Sequence, residues 1–490
     1  MAFKKAQTLK EMHQAVIGLE VHVELHTRSK CFCSCSTEFG KRPNSQTCPV
    51  CLGLPGSLPV LNEAALQFAI KTGLGLNCRI LKLIKFDRKD YFYPDLPKNF
   101  QISQPNLPLA QDGWLCIDTK KGVKKIGIRQ AHLEEDVGKL IHPAGAQISL
   151  VDFNRNGIPL LEIVTEPQMN SSQEVYDFLL QLKSILKYLE VSDCNMEEGS
   201  LRCDANISLM PEGSKTPGQK VEVKNMNSFK VVRQAVEYEA ERQEKLLNKK
   251  KKVVLETRLW DVIKNVTVPM RTKAEAQHHY NFPEPDLVPF VLKDEYIQKI
   301  KESLPELPKQ RAERFIREYK IPEYDANVLT ADKYLADYFE ECVKLYPKPK
   351  VISNWIMTGL LAHLNERNIE VRNLKLKPKS FVAIFQMMDE GVISGKIAKG
   401  ILPQMLDGKQ EARDIVKEKD IQQITDAKGL EEIVREVITE NSKPAAEYCR
   451  GKDAAFTFLV GQIMRKSRGR ANPQIANKIL KESLKRRDDA

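Results

Sequence analysis

Ile17-Gly-Leu-Glu-Val-His-Val-Glu-Leu-His26 alternates, with Gly18 the only exception, between an apolar residue and one that can bind a cation. Successive side chains of an extended strand point to opposite faces, so this period of two predicts a single strand. Leu19, Val21, Val23 and Leu25 then pack inward, while Glu20, His22, Glu24 and His26 share the other face. A solvated sheet also carries polar residues on its free side, but such a side usually mixes in Lys, Ser and Thr. None of these dilutes the polar side here. Adjacent carboxylates repel unless a positive charge lies between them, and a bound metal ion supplies one.

The alternation recurs downstream. From Ile126 to Val137, Arg129, Ala131, Leu133 and Glu135 share one face and His132, Glu134 and Asp136 the other. Residues 149–153 and 158–164 flank Asn154-Arg-Asn-Gly157, whose Asn-Gly pair predicts a tight hairpin. In the second arm Leu160, Glu162, Val164 and Glu166 share a face, and a lone Glu162 among Leu160, Leu161, Ile163 and Val164 is costly to bury unless paired or metal-bound. A strand over 198–207 lines up Glu198, Ser200, Arg202, Asp204 and Asn206, and one over 221–227 sets Glu222 and Lys224 opposite Val221 and Val223. A solvated surface explains any one of these strands. It explains the whole set poorly.

Between Lys30 and Gly56 stand Cys33-x-Cys35 and Cys48-x-x-Cys51, twelve residues apart. Four thiolates in two close pairs can surround one tetrahedral zinc ion, and a closed set of four leaves no position for water, so the expected ion is structural. The other seven of the eleven cysteines are scattered or spare and read as reduced thiols. Asp87-Arg-Lys-Asp-Tyr-Phe-Tyr-Pro-Asp-Leu-Pro-Lys98 reads as a loop whose two lysines and three aromatics suit an anionic or nucleotide ligand.

Ser171-x-x-Glu174 is a capping box opening a helix whose Val175, Phe178, Leu179, Leu182, Leu186 and Leu189 keep helical spacing. The run Lys249 to Lys252 reads as a solvated loop. Prolines at 283, 285 and 289 end the strand-rich region near residue 300, and amphipathic helices follow, including Phe381, Ile384, Phe385 and Met388. A second boundary is expected at Asp407-Gly-Lys409, giving domains 1–300, with a zinc-binding insertion over 30–56, then 301–408 and 409–490. The last contains Arg465-Lys-Ser-Arg-Gly-Arg470 ahead of Asn472-Pro473, an N-cap with proline at the first helical position. From Arg465 to Arg487 there are nine basic residues and one acid, a pattern suited to phosphates.

Three domains also suit 490 residues at about 150 each. An apolar fraction of 42% and a charged fraction of 29% describe a globular protein, and a net charge of +11 permits an anionic partner without demanding one. No window is apolar for long enough to span a bilayer, and the N-terminus lacks the marks of a signal peptide or presequence, so a cytoplasmic location is expected. No Gly-x-x-x-x-Gly-Lys-Ser/Thr loop occurs, so any ATP must sit on the sheet. Nor is there an amidase-type double-serine stretch with which the chain could release ammonia from glutamine.

Several of these segments resemble one family. The stretch 17–25, Phe-Asp-Arg-Lys-Asp-Tyr-Phe-Tyr-Pro-Asp at 86–95, His-Leu-Glu-Glu-Asp-Val-Gly-Lys at 132–139 and Met-Glu-Glu-Gly-Ser-Leu-Arg-Cys-Asp-Ala-Asn at 196–206 are similar to the B subunits of tRNA-dependent aspartyl/glutamyl amidotransferases. So are Phe-Pro-Glu-Pro-Asp at 282–286 and Phe-Leu-Val-Gly-Gln-Ile-Met at 458–464, and the cysteine quartet resembles the zinc-containing branch. The resemblance implies an α+β, glutamine-synthetase-like cradle domain with an antiparallel sheet, an all-α helical domain and a small YqeY-like tail domain that touches tRNA.

It also implies a ligase. Such a protein phosphorylates, with ATP, the side-chain carboxylate of Glu on misacylated tRNA(Gln) or of Asp on misacylated tRNA(Asn). Ammonia from an amidase-type A subunit, assembled with a small C subunit into a heterotrimer, then displaces the phosphate. By residue match Glu20, His22, Glu135 and Glu162 bind magnesium, with Glu198 a further candidate, and Glu24 and His26 are left as surface. Glu135, Glu20, Arg202 and Lys89 are the catalytic candidates, and Arg202, Asp204 and Lys224 the ATP or phosphate candidates. Arg465, Lys466, Arg468 and Arg470 would read tRNA, and Cys33, Cys35, Cys48 and Cys51 would hold zinc. Two alternatives stand beside this: a zinc-stapled tRNA-binding protein without catalysis, and a magnesium-dependent phosphohydrolase or nuclease.

Overall fold

The computed structural model describes residues 13–143, 145–272, 280–367, 369–419, 421, 427–450, 452–467 and 470–488. The chain divides into two compact units that meet between Leu307 and Pro308.

The first unit is built on a nine-stranded sheet. Its strands are β1 (His13–Glu24), β2 (Arg79–Ile80), β3 (Ala110–Thr119), β4 (Gly122–Glu135), β5 (Pro159–Thr165), β6 (Leu201–Pro211), β7 (Val221–Lys224), β8 (Glu256–Asp261) and β9 (Val266–Thr272). Across the sheet they run β9-β8-β7-β6-β1-β5-β4-β3-β2. All neighbours are antiparallel except β7 and β8, which are parallel. The alternating stretch from Ile17 is thus near the middle, between β5 and β6.

Alternation sorts its side chains as expected: Ile17, Leu19, Val21 and Val23 are at most 1% exposed. They join one hydrophobic core with helices α1 (Glu63–Gly75), α2 (Ser172–Tyr188) and α3 (Phe229–Asn248), to which Ile70, Phe178, Leu182 and Val232 contribute. Asn62, Ser171 and Ser228 cap these helices by accepting bonds from backbone N–H groups of the first turn. At α2 only half of the expected box forms: the Ser171 hydroxyl accepts from Glu174 N, but the Glu174 carboxylate takes Asn170 N and Lys124 Nζ.

Four sequence expectations are corrected. Asn154–Gly157 does turn, with Gly157 at φ +85°, but its arms do not pair. Leu150–Asp152 pairs instead with Lys139–Ile141 in a separate ribbon. The strand expected from Glu198 starts at Leu201, so Glu198 lies in the preceding turn, exposed and off the row. In β4 a bulge opposite Val164 and Thr165 skips Arg129, so Arg129 leaves the face of Ala131 and Leu133 and pairs with Glu166. The loop expected over 87–98 begins as a strand, Asp87–Asp90, in a three-stranded sheet with Phe100–Ser103 and Tyr280–Pro283.

Beyond Leu307 the described elements are all helices. Two cores form there, one including Phe315, Phe339, Ile356 and Phe385, the other Leu430, Leu459, Ile463 and Leu480. Ala412, Ile415 and Val416 belong to the earlier core, so the helix Ala412–Glu418 packs with the residues before it rather than with the tail. The last helix opens as the sequence suggests, with the Asn472 side chain accepting from Ile475 N. No helix among the described residues is long and apolar enough to cross a membrane.

Candidate active site

Register turns separate polar residues into one row. His132 on β4 lies opposite Glu162 on β5, Glu162 opposite His22 on β1, and His22 opposite Arg202 on β6. His132 Nε2 is 3.3 Å from Glu162 and 3.6 Å from Glu134, and His22 Nε2 is 3.7 and 4.0 Å from the same two carboxylates. Ser103 donates to Glu134 at 3.1 Å. Burial works against charge on His132, but its bonds with Glu134 and Glu162 outweigh this and raise its pKa to about 9; His22 shifts the same way. Glu162, although half-buried, is held far below the usual carboxylate range by the two imidazoles.

One row along, Glu20 is opposite Asp204, and Glu222 on β7 completes a second acidic group. Lys224 spans Asp204 and, at 3.1 Å, Glu222; Asn206 donates to Glu20 at 2.8 Å and Thr257 to Glu222 at 2.8 Å. One lysine does not balance three carboxylates. In each group, His22–Glu134–Glu162 and Glu20–Asp204–Glu222, the possible ligand atoms lie within 4.8 Å of one another. The first set offers two carboxylates and one imidazole, the second three carboxylates with unbalanced negative charge, and both donor sets fit a hard divalent cation.

At the other end of the row, Arg202 Nη2 donates to Asp136 at 2.6 Å, and Arg155 Nε lies 3.6 Å from the same carboxylate. Asp136, buried but facing both guanidinium groups, is lowered to about 2. Glu24 faces Asp136, and burial together with that neighbour raises it to about 9. Glu24, expected as surface, therefore lies on the site face. Arg202 Nε is buried without a partner among the described residues.

Other candidates lie elsewhere. Glu135, grouped by residue match with Glu20, His22 and Glu162, follows Glu134 and points to the opposite side of β4. Its carboxylate pairs with buried Lys98 and accepts from Ile102 N at 2.9 Å. Lys89 sits in the three-stranded sheet, 5.9 Å from the centre of the Tyr91 ring, outside both acidic groups. Sequence reading missed Glu134 and Glu222 as ligands, although the face it gave His132 already contained Glu134. It passed over Lys30 as well, which is fully buried, with Nζ 3.2 Å from Phe153 O and 3.8 Å from Cys51 Sγ.

Cys33, Cys35, Cys48 and Cys51 converge with sulfurs within 4.8 Å of one another. A hydrogen bond from Cys33, with help from Lys30, lowers Cys51 to about 5. This all-sulfur set fits a soft tetrahedral cation. In the second unit Arg465 is exposed, whereas Lys466 is engaged by Glu436 at 2.8 Å and Glu440 at 2.5 Å. Arg468 lies outside the described residues, and Arg470 stands just before the Asn472 cap.

A nearly antiparallel sheet with one face on helices and the other bearing two acidic groups flanked by Arg202 and Lys224 defines an α+β protein. Residues 15–298 match the GatB/GatE catalytic domain family and residues 337–484 the GatB domain family. The B subunit of the aspartyl/glutamyl-tRNA(Asn/Gln) amidotransferase of Thermoanaerobacter pseudethanolicus is 51% identical over 472 residues, covering 96% of this chain and 99% of its own. The same-named proteins of Carboxydothermus hydrogenoformans and Thermotoga maritima are 50% and 51% identical over 96% of this chain and 99% of their own. The chain belongs to the family of aspartyl/glutamyl-tRNA(Asn/Gln) amidotransferase B subunits.

Proposed function

We propose that the chain is the B subunit of an amidotransferase that converts Glu-tRNA(Gln) or Asp-tRNA(Asn) to Gln-tRNA(Gln) or Asn-tRNA(Asn) in the cytoplasm. The observation that carries this is the continuous row His132–Glu162–His22–Arg202 with a second acidic group beside it. A carboxylate is a poor acyl donor because oxide is a poor leaving group. In the proposed reaction the substrate carboxylate oxygen attacks the γ-phosphorus of ATP, releasing ADP and forming an acyl phosphate. Ammonia nitrogen then attacks the acyl carbon, phosphate leaves with the C–O bond electrons, and the nitrogen loses a proton.

His22, Glu134 and Glu162 would hold one magnesium ion and Glu20, Asp204 and Glu222 another, and bound magnesium supplies the charge that lets two anions approach. Arg202, oriented by Asp136, would set its positive charge against the anionic ligand. Lys224 does the same beside the second group. The four cysteines would hold structural zinc. An amidase-type A subunit and a small C subunit would supply the ammonia. The sheet unit would form the cradle, the core around Phe385 a helical domain and the core around Leu459 a YqeY-like tail.

Reconstitution tests this reading. The protein with an amidase partner, misacylated tRNA, glutamine and ATP should give amidated tRNA and ADP; RNA cleavage, or tRNA binding with no product, overturns it in favour of a nuclease or a non-catalytic binder. For the tail, replacing Arg465, Lys466, Arg468 and Arg470 by Ala should reduce the salt slope of tRNA binding by about 0.9 for each phosphate no longer neutralised. Lys466 alone should change it less than Arg465 alone, because Glu436 and Glu440 already share its charge. An unchanged slope removes this segment from the RNA interface.

A further inference from the structure

The far end of the sheet contains a cavity of about 320 Å³ that the proposed reaction does not use. It lies where the C-terminal part of α3 crosses the ends of β1 and β6, with Leu209, Pro211, Leu247 and Val253 as apolar walls. From His13, on its rim, to His22 is nine residues of strand, roughly 30 Å at about 3.3 Å each. It is therefore separate from the acidic row.

Two features point to a ligand. Gln243 lines the cavity and is fully buried. Its Nε2 donates to Ile207 O at 3.1 Å and Glu239 Oε1 at 2.9 Å, which fixes the amide orientation, because the flipped form would set two oxygens against each other. Its Oε1 then remains buried with no partner among the described residues, and so does His13 Nδ1. A buried acceptor left unbonded costs free energy that a donor from a ligand would recover. The second feature is charge: Lys252, last of the Lys249–Lys252 run, lines the same cavity. The run gains a position here that its reading as a solvated loop did not give it.

An apolar slot with a waiting acceptor inside and one lysine, Lys252, at its rim suits a flat heterocycle that bears an N–H donor and carries a phosphate. We propose that this cavity is a nucleotide-binding site, with the exocyclic amine of the base on Gln243 Oε1 and the phosphate on Lys252. The same chemistry is offered by a free nucleoside monophosphate and by a single nucleotide of an RNA strand.

Photolabelling of the full-length protein with 2-azidoadenosine monophosphate, followed by peptide mass spectrometry, tests this. Label is expected on peptides spanning 209–219 or 243–253, reduced at least about tenfold in Gln243→Leu, which keeps the side-chain bulk and removes the acceptor, and about fivefold in Lys252→Ala. Because Lys252 is exposed, its variant reports even if Gln243→Leu fails to fold. Labelling confined to peptides of the acidic row, or unchanged in both variants, overturns the proposal. If excess tRNA removes the label from the expected peptides, the occupant is an RNA nucleotide; if label persists there under tRNA, it is a free nucleotide. Neither variant touches the proposed active site, so amidation should be retained by Lys252→Ala, and by Gln243→Leu when it folds, whichever way the labelling falls.

Discussion

Glu134→Gln is expected to lower ATP-dependent amidation at least about 100-fold with little change in melting temperature, whereas Glu135→Gln, one residue on, is expected to do damage of a different kind. The neutral amide keeps the shape of Glu134 and the bond from Ser103 but removes one of two carboxylates that face His22 and His132. Glu162 alone would then remain opposite two imidazoles, and a divalent cation would lose an anionic ligand. Glu135 instead neutralises Lys98, and both side chains are under 10% exposed. Removing one partner of a buried pair costs about 3–5 kcal/mol, which for a unit of this size lowers Tm by roughly 5–8 °C. Thermal unfolding and single-turnover amidation of both variants would separate the roles. An active Glu134→Gln, or a Glu135→Gln that keeps its Tm and loses only product, would return the metal role to Glu135.

That contrast shows where sequence reading stops. Parity along one strand is legible: Leu19, Val21 and Val23 are core because their neighbours Glu20, His22 and Glu24 are not. Parity also grouped His132 with Glu134. Register is not legible, because it depends on strands far apart in the chain, and only register sets His132, Glu162, His22 and Arg202 in a row. The end of β4 added a second difficulty. There the inward side is no longer apolar, and Glu135 is buried against Lys98, so a carboxylate on either face looks equally suited to a cation. Residue match then chose the neighbour of the one that geometry supports.

The missing hairpin has a similar cause. Asn154–Gly157 contains the right turn residues, but local chemistry cannot show that a third segment competes for the arms. The cysteine loop does so. Asn44 bonds Asp152, Val151 and Phe153, and Asn154 exchanges bonds with Arg42 O and Gln46 N. These contacts hold 151–154 away from β5 and leave Leu150–Asp152 to pair with Lys139–Ile141.

Stripping zinc should therefore act beyond the cysteines themselves. Chelation, or Cys48→Ser, is expected to release one zinc per chain, to speed amide exchange over 31–57 and also over 151–157, and to reduce amidation more than tenfold. Beyond Phe32, which joins the core of the sheet unit, the loop has little apolar packing of its own: Phe39 and Leu54 are at least 50% exposed. Its order thus rests on the four sulfurs and on polar contacts with 151–156, which end in Asn156 donating to Cys51 O at 2.7 Å. Gly157 in turn donates to Asp136 O at 2.8 Å and accepts from Cys31 N at 2.7 Å. Loosening the loop would free Asp136, and Asp136 is what orients Arg202. Exchange in the helices beyond Pro308 should not change, since they have separate cores. Purified protein without zinc, or chelation that speeds exchange in neither segment, would remove the metal from this account. Faster exchange over 31–57 with 151–157 unchanged would keep the zinc and break its link to Arg202.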